Sequence, residues 1–386
     1  MDAKARRWGQ RLRNPVGSIR NAIRLGRIAG IEIGLDYSWF VIFALVTYGF
    51  ANSGLPVAYP QWSGAAYWST GVAISLLFFA SILAHELGHS LVAIRTGTPV
   101  RSITLFIFGG VAGMAREPGR ALHEFLIAIA GPLVSLGLAA LFFGLFQLAP
   151  VNTPLAALTE FLALINLVVA VFNMLPGFPM DGGRVLRAAL WGLKGDLLWS
   201  TKVATWIGRG MAYALMAWGV YMALVWGQWF SGLWRVRIAT FIHTAAVRSY
   251  QQVAFLAKLR RRRVGEVMSP APASLPAEVS VADVVGNDLR WGSQPAWPVV
   301  ENGTTLGLLT RDDLHAVPWE TRAGTAVAEI LPSKWPTLVA HLDDTLADVF
   351  QRLDDQQLVV VKDGERVVGV IPYQQLMRTV QAASDA

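Results

Sequence analysis

The chain has 386 residues, of which 54% are hydrophobic and only 15% charged, with a mean hydropathy of +0.43. These values exclude an ordinary soluble globular protein and point to several membrane-length apolar segments joined to a soluble part. There is no cysteine, so a disulfide framework and a thiolate metal site are excluded, and any metal must be held by His, Asp or Glu. The formal net charge of +7 is unevenly spread: residues 1–264 carry 25 Lys+Arg against 9 Asp+Glu, and residues 265–386 carry 8 against 17. A basic, membrane-associated part therefore precedes an acidic soluble domain. The basic residues lie beside apolar spans, which argues against nucleic-acid binding.

Residues 1–36 form a basic N-terminus with Lys4, Arg6, Arg7, Arg11, Arg13, Arg20, Arg24 and Arg27. It reads either as an amphipathic helix on the inner leaflet or as a solvated basic tail. No small-residue cleavage site follows, so it is expected to be retained rather than removed as a signal peptide. Ile31 to Tyr37 alternates apolar and polar residues, as a short strand would. A transmembrane core is expected over 37–248, with six spans near 37–53, 68–95, 122–148, 155–177, 203–226 and 229–248. Lys and Arg are absent from 54–67 and 149–154 but present at Arg101, Arg116, Arg120, Arg184, Arg187, Lys194 and Lys202. This alternation predicts a multi-pass protein of the cell membrane with both termini on the cytoplasmic side. Arg235 and Arg237 make the sixth span the weakest. His123 and Glu124 open the third span and are expected at the membrane interface. His243, His315 and His341 have no second ligand at metal spacing.

The chemistry concentrates in the second span. His85-Glu86-Leu87-Gly88-His89 is an HExxH pattern. On a helix, residues four apart share a face, so His85 and His89 can present two imidazoles to one metal. Glu86 lies beside them, where a carboxylate can take a proton from activated water. Ionisable groups inside an apolar segment are costly and mark function. His89 is six residues from Arg95, which sets the site roughly 9 Å inside the cytoplasmic end of its helix. A third ligand is needed, and Asp181 is the candidate. It follows the fourth span and is flanked by Pro176, Pro179 and Gly182, which break the helix and let a carboxylate turn inward. Capping a helix at a membrane exit is the other reading of Asp181; the HExxH pair favours the ligand role.

After a basic linker at 249–263, residues 264–380 change character. Val281-Ala-Asp-Val-Val285 is repeated as Leu346-Ala-Asp-Val-Phe350, and Gly307 to Leu314 as Gly369 to Leu376. A period of roughly sixty residues predicts two tandem α/β units.

His85-Glu86-x-x-His89 on one span, with Asn173-x-x-Pro176-x-x-x-x-Asp181-Gly182 after a later one, resembles the site-2 protease family of intramembrane zinc metalloproteases. The likeness is to the bacterial and archaeal branch with C-terminal CBS domains. Phe108-Gly109-Gly110-Val111-Ala112-Gly113 is similar to that family's Gly-rich loop, and Ala130-Gly131-Pro132 to its AGP signature. The resemblance implies a six-helix membrane core with short strands or a re-entrant loop near the site. It implies one Zn2+ held by His85, His89 and Asp181, with Glu86 as catalytic base and Asn173 polarising the scissile carbonyl. Gly109 and Gly110 would pair with an unwound substrate. The implied substrate is a transmembrane regulatory protein, such as a membrane-bound anti-sigma or pro-sigma factor. The tail resembles a tandem CBS domain, in which Gly307, Thr310 and Asp313 match a site for ATP or AMP. Pro372 and Gln375 replace the corresponding groups of the second repeat. Dimerisation through the tail, a CBS-regulated channel or transporter, and an inactive binding homologue are the other readings.

Overall fold

The computed structural model of the chain describes residues 22–107, 109–114, 117–270, 273–286, 296–302, 304–332, 338–353, 359–364, 366–372 and 375–380. Most of the basic N-terminal stretch, Phe108 and Gly303 lie outside them. The chain divides into two compact units that meet at Val253/Ala254.

Among the described residues the first unit opens with a hairpin: residues 22–30 are strand and turn, and the helix or tail expected for the rest of the basic N-terminus lies outside the described residues. Strands β1 (Ala22–Ile28) and β2 (Ile31–Asp36) turn through Ala29 and Gly30, both at positive φ. The strand expected from Ile31 is β2, and its Ile31, Ile33 and Leu35 are buried. Its last residue, Asp36, accepts hydrogen bonds from the Ser38 backbone N–H (2.9 Å) and hydroxyl (2.5 Å). This caps the next helix at once. Helix α1 (Tyr37–Gly49) continues through a π-turn to Ala58. Helix α2 (Gly64–Arg95) has 32 residues and is therefore about 48 Å long. The Gly-rich segment is a hairpin of β3 (Val100–Phe106) and β4 (Gly109–Met114), which completes a sheet of order β1-β2-β3-β4 with β2 and β3 parallel.

Helices α3 (Ala121–Leu148) and α4 (Pro154–Asn173) follow. Among the described residues, four helices, Tyr37–Ala58, Gly64–Arg95, Ala121–Leu148 and Pro154–Asn173, are long and apolar enough to cross a membrane. They approach closely at small residues: Gly71 lies against the Thr47 carbonyl, and Gly88 against that of Ala130. Thr47 donates to Ser75 across the first contact, at 2.8 Å.

The helix break predicted by Pro and Gly after the fourth span occurs at Asn173. The chain then restarts as α5 (Asp181–Lys194), an amphipathic helix that was not expected in a connecting segment. Helices α6 (Leu197–Val225) and α7 (Trp229–Arg260) are long, but Lys202, Arg209, Arg235, Arg237 and Arg248 interrupt their apolar character. They meet at Gly219 and Gly232. The segment expected as a linker from 249 is helical as far as Arg260.

In the second unit, Phe255, Leu256 and Leu259 of α7 join a core with Leu346, Val349, Phe350, Val361 and Ile371. Strands β5 (Ser269–Pro270), β6 (Leu275–Pro276), β7 (Ala296–Glu301), β8 (Thr304–Thr310), β9 (Leu338–His341), β10 (Val359–Asp363) and β11 (Arg366–Ile371) form two sheets. Their orders are β5-β11-β10-β9 and β6-β7-β8. The sequence repeat maps onto equivalent helices, α8 (Val281–Gly286) and α9 (Leu346–Arg352), and onto two antiparallel hairpins. In each repeat the helix packs its apolar face on its sheet.

Candidate metal centre

His85 and His89 are four residues apart on α2, and the helix brings both rings to its buried face, each 4% exposed. Asp181 is the first residue of α5. Gly182 and Gly183 behind it lie so close to the backbone of 174–178 that a Cβ on either would overlap it, so this tight return needs glycine. Gly208 of α6 backs the same loop, and the Phe178 N–H donates to the Ala204 carbonyl at 3.2 Å.

These elements bring His85, His89 and Asp181 together, with one possible ligand atom from each lying within 4.8 Å of the others. The Asp181 Oδ2 atom is 3.2 Å from His85 Nε2 and 3.1 Å from His89 Nε2, and the two Nε2 atoms are 3.2 Å apart. Bond lengths of about 2.0–2.1 Å to zinc place tetrahedral ligands roughly 3.3 Å apart, so the triangle has the dimensions of a zinc face.

The proton inventory supports a cation there. His89 Nδ1 lies 2.6 Å from the Ile127 carbonyl, which can only accept, so Nδ1 carries the hydrogen. In the neutral ring, Nε2 is then a bare lone pair facing a carboxylate oxygen. Two acceptors at 3.1 Å need a proton or a metal cation between them, and a metal satisfies both at once. His85 Nδ1 is likewise held by the Ser135 hydroxyl at 2.9 Å, leaving its Nε2 for the same centre.

Gly131, in the AGP stretch, packs directly over the imidazoles: a Cβ there would overlap His89 Nε2 and come within 2.7 Å of His85 Nε2. Glu86 lies under the Gly-rich hairpin, and a Cβ on Gly110 would come within 2.5 Å of Glu86 Cγ and 3.3 Å of its Oε1. Gly109 adopts φ 130°, in the region that favours glycine. Both glycines sit on β4, an outer strand of the four-stranded sheet.

Asn173 is the last residue of α4 and half-buried; none of the hydrogen bonds at the His/Asp centre reaches its side chain. In the second unit, Thr310 and Asp313 cap the helix at Arg311–Ala316. Asp313 Oδ2 accepts from the Thr310 N–H (2.8 Å) and hydroxyl (2.6 Å). Gly307 faces the Leu331 side chain. In the second repeat, Gln375 binds Ser269 and the Val267 carbonyl, and Gly369 faces Met268.

Sequence reasoning missed three groups. Ser135 and the Ile127 carbonyl hold the ring nitrogens remote from the centre; a serine in an apolar helix near the AGP stretch was the available signal. Glu124, expected at the membrane interface, is 1% exposed and paired with Arg187 of α5, a partner the sequence did not suggest.

Among known proteins, the profile of peptidase family M50 matches residues 73–159 and 149–217, and that of the CBS domain matches 264–319 and 327–382. The chain is 32% identical over 379 residues to the provisionally named zinc metalloprotease sll0528 of Synechocystis sp., covering 95% of this chain and 97% of that one. It is 33% identical over 369 residues to the provisionally named zinc metalloprotease Rip3 of Mycobacterium tuberculosis, covering 94% and 93%. The solved site-2 protease from Methanocaldococcus jannaschii is 31% identical, with a TM-score of 0.41, and the match covers 59% of this chain and 95% of that one. By its sequence likeness over nearly its whole length, the chain belongs to peptidase family M50, the site-2 protease family of zinc metalloproteases, and carries CBS domains at its C-terminal end.

Proposed function

We propose that the chain hydrolyses a peptide bond within or beside a transmembrane segment of a regulatory membrane protein, such as an anti-sigma or pro-sigma factor. The observation that carries this reading is the contact between Glu86 and Gly110. It sets a carboxylate beside the His/His/Asp triangle and beneath a sheet edge at once.

In this reading His85, His89 and Asp181 hold one zinc ion, which when bound supplies Lewis acidity and lowers the pKa of water to about 7. Glu86 takes a proton from the attacking water and delivers it to the leaving amine nitrogen. Asn173 offers its amide N–H to the oxygen that gains charge. The Ile127 carbonyl keeps His89 in the tautomer that leaves Nε2 free, and Ser135 holds the His85 ring by its Nδ1. A helical substrate hides its carbonyls in internal hydrogen bonds, so it must unwind. The outer edge of β4, with Gly109 and Gly110, offers backbone groups to the extended strand.

We place the protein in the cell membrane with six crossings, α6 and α7 adding two to the four most apolar helices, and with both termini cytoplasmic. The alternation of Lys and Arg between spans supports this. Division into a basic N-terminus, a protease core to 248, a linker and a CBS pair over 264–380 follows the same pattern. The pair offers one site for ATP or AMP, at Gly307, Thr310 and Asp313, and a surface for self-association.

The test compares wild type and Glu86→Gln on a panel of single-span anti-sigma and pro-sigma factors in liposomes, with bound zinc quantified. Zinc retained and cleavage lost in the variant supports the reading. Equal cleavage by both proteins overturns it. Calorimetry of the full chain with ATP and AMP, repeated for Asp313→Ala, tests the tail: heat that vanishes in the variant supports the site, and no heat from either protein removes it.

A further inference from the structure

We infer that the buried Glu124–Arg187 ion pair positions the metal centre, fixing Asp181 against the stretch of α3 that holds His89. The inference rests on His85, His89 and Asp181 being the zinc ligands.

The two side chains are almost completely buried, with exposures of 1% for Glu124 and 7% for Arg187. Arg187 Nε donates to Glu124 Oε1 at 2.6 Å, and its Nη2 engages the same oxygen. Each partner also belongs to one arm of the centre. Glu124 lies one helical turn before Ile127, whose carbonyl holds His89 Nδ1. Arg187 lies on α5, which begins at Asp181, and its guanidinium stands 5.1 Å from the ring of Phe178 in the loop leading to Asp181. The pair therefore ties the second ligand's support to the third ligand's helix. A second charged contact, weaker and longer, joins the same two arms. Arg184, whose Nε is 4.0 Å from the same Glu124 oxygen, is more open, with an exposure of 18%.

Stability alone is a weak reason for such a pair, because burying two charges costs desolvation that apolar side chains of equal volume avoid. Direction is what the pair adds. A guanidinium has fixed donor geometry, whereas packed aliphatic side chains let one helix turn or slide on another. A metal face about 3 Å on edge tolerates little such movement.

The test uses full-length protein in detergent and measures zinc affinity by chelator competition, together with the melting temperature of the zinc-free protein. The variants are Arg187→Lys, which keeps the charge without the fork, and a double change, Glu124→Leu with Arg187→Met, which keeps packing without charge. Both are expected to bind zinc about 10- to 100-fold more weakly than wild type. The double variant should do so with an unchanged apo melting temperature. Turnover should fall through kcat with KM unchanged. Wild-type zinc affinity in either folded variant overturns the inference. So does a loss of affinity that appears only alongside an equal loss of apo stability across the set. Asp181→Ala serves as the separate control: if it binds zinc like wild type, the ligand assignment fails, whatever the ion-pair variants do.

Discussion

Replacing Gly131 with alanine adds a single methyl group at the most constrained point of the centre. That methyl would overlap His89 Nε2 and lie 2.7 Å from His85 Nε2. Something must move, and the cheapest movement is of the ring ends, not the α3 backbone, which is packed on α2 through Gly88. The rings are tethered at Nδ1 by Ser135 and Ile127, so shifting Nε2 strains those bonds and opens the 3.1–3.2 Å triangle. Overpacking of this kind costs about 1–3 kcal/mol. Because the strain falls on the ligand atoms, it is read in zinc affinity, as a loss of roughly 5- to 150-fold at 1.4 kcal/mol per decade. Chelator competition on purified full-length protein measures it, with circular dichroism as the check on folding. A folded Gly131→Ala protein with wild-type zinc affinity would refute the packing argument.

Two further substitutions separate the parts of the site. Gly110→Val drives a branched side chain onto Glu86 without touching a ligand, so zinc content should stay at wild-type level while cleavage falls by more than about 100-fold, near 2.7 kcal/mol of lost transition-state stabilisation; preserved cleavage would remove Gly110 from the neighbourhood of the chemistry. Ser135→Ala leaves His85 Nδ1 without its partner and should weaken zinc binding about 10-fold or more in chelator competition, an unchanged affinity showing that the hydroxyl does not orient the ring.

The His85/His89/Asp181 cluster was legible because its information is local. The i, i+4 spacing of His85 and His89 fixes a shared face on any helix, and Pro176, Pro179 and Gly182 announce the break that lets Asp181 turn back. The strand from Ile31 showed its alternation, and the tandem repeat showed its period. What was hidden depends on contacts between distant segments. Ser135 is 50 residues from His85, Ile127 is 38 from His89, and Glu124 is 63 from Arg187. A carbonyl leaves no trace in composition, and a glutamate at the start of an apolar run looks interfacial until a partner helix covers it. Helix α5 escaped notice because polar residues between apolar spans read as a connection. Arg24 and Arg27 hid β1 in the same way, within a basic stretch that looked like a tail. The two longest less apolar helices, α6 and α7, show why span counting is least secure where helices pack on one another through Gly219 and Gly232.

The central claim is that two imidazoles from α2 and one carboxylate from α5 hold a single zinc ion. Elemental analysis of dialysed full-length protein, wild type against Asp181→Ala, tests it most directly. The account predicts one zinc per chain in wild type and a loss to near zero in the variant, with both proteins folded. Equal zinc in the two proteins, or none in wild type after reconstitution, would contradict it.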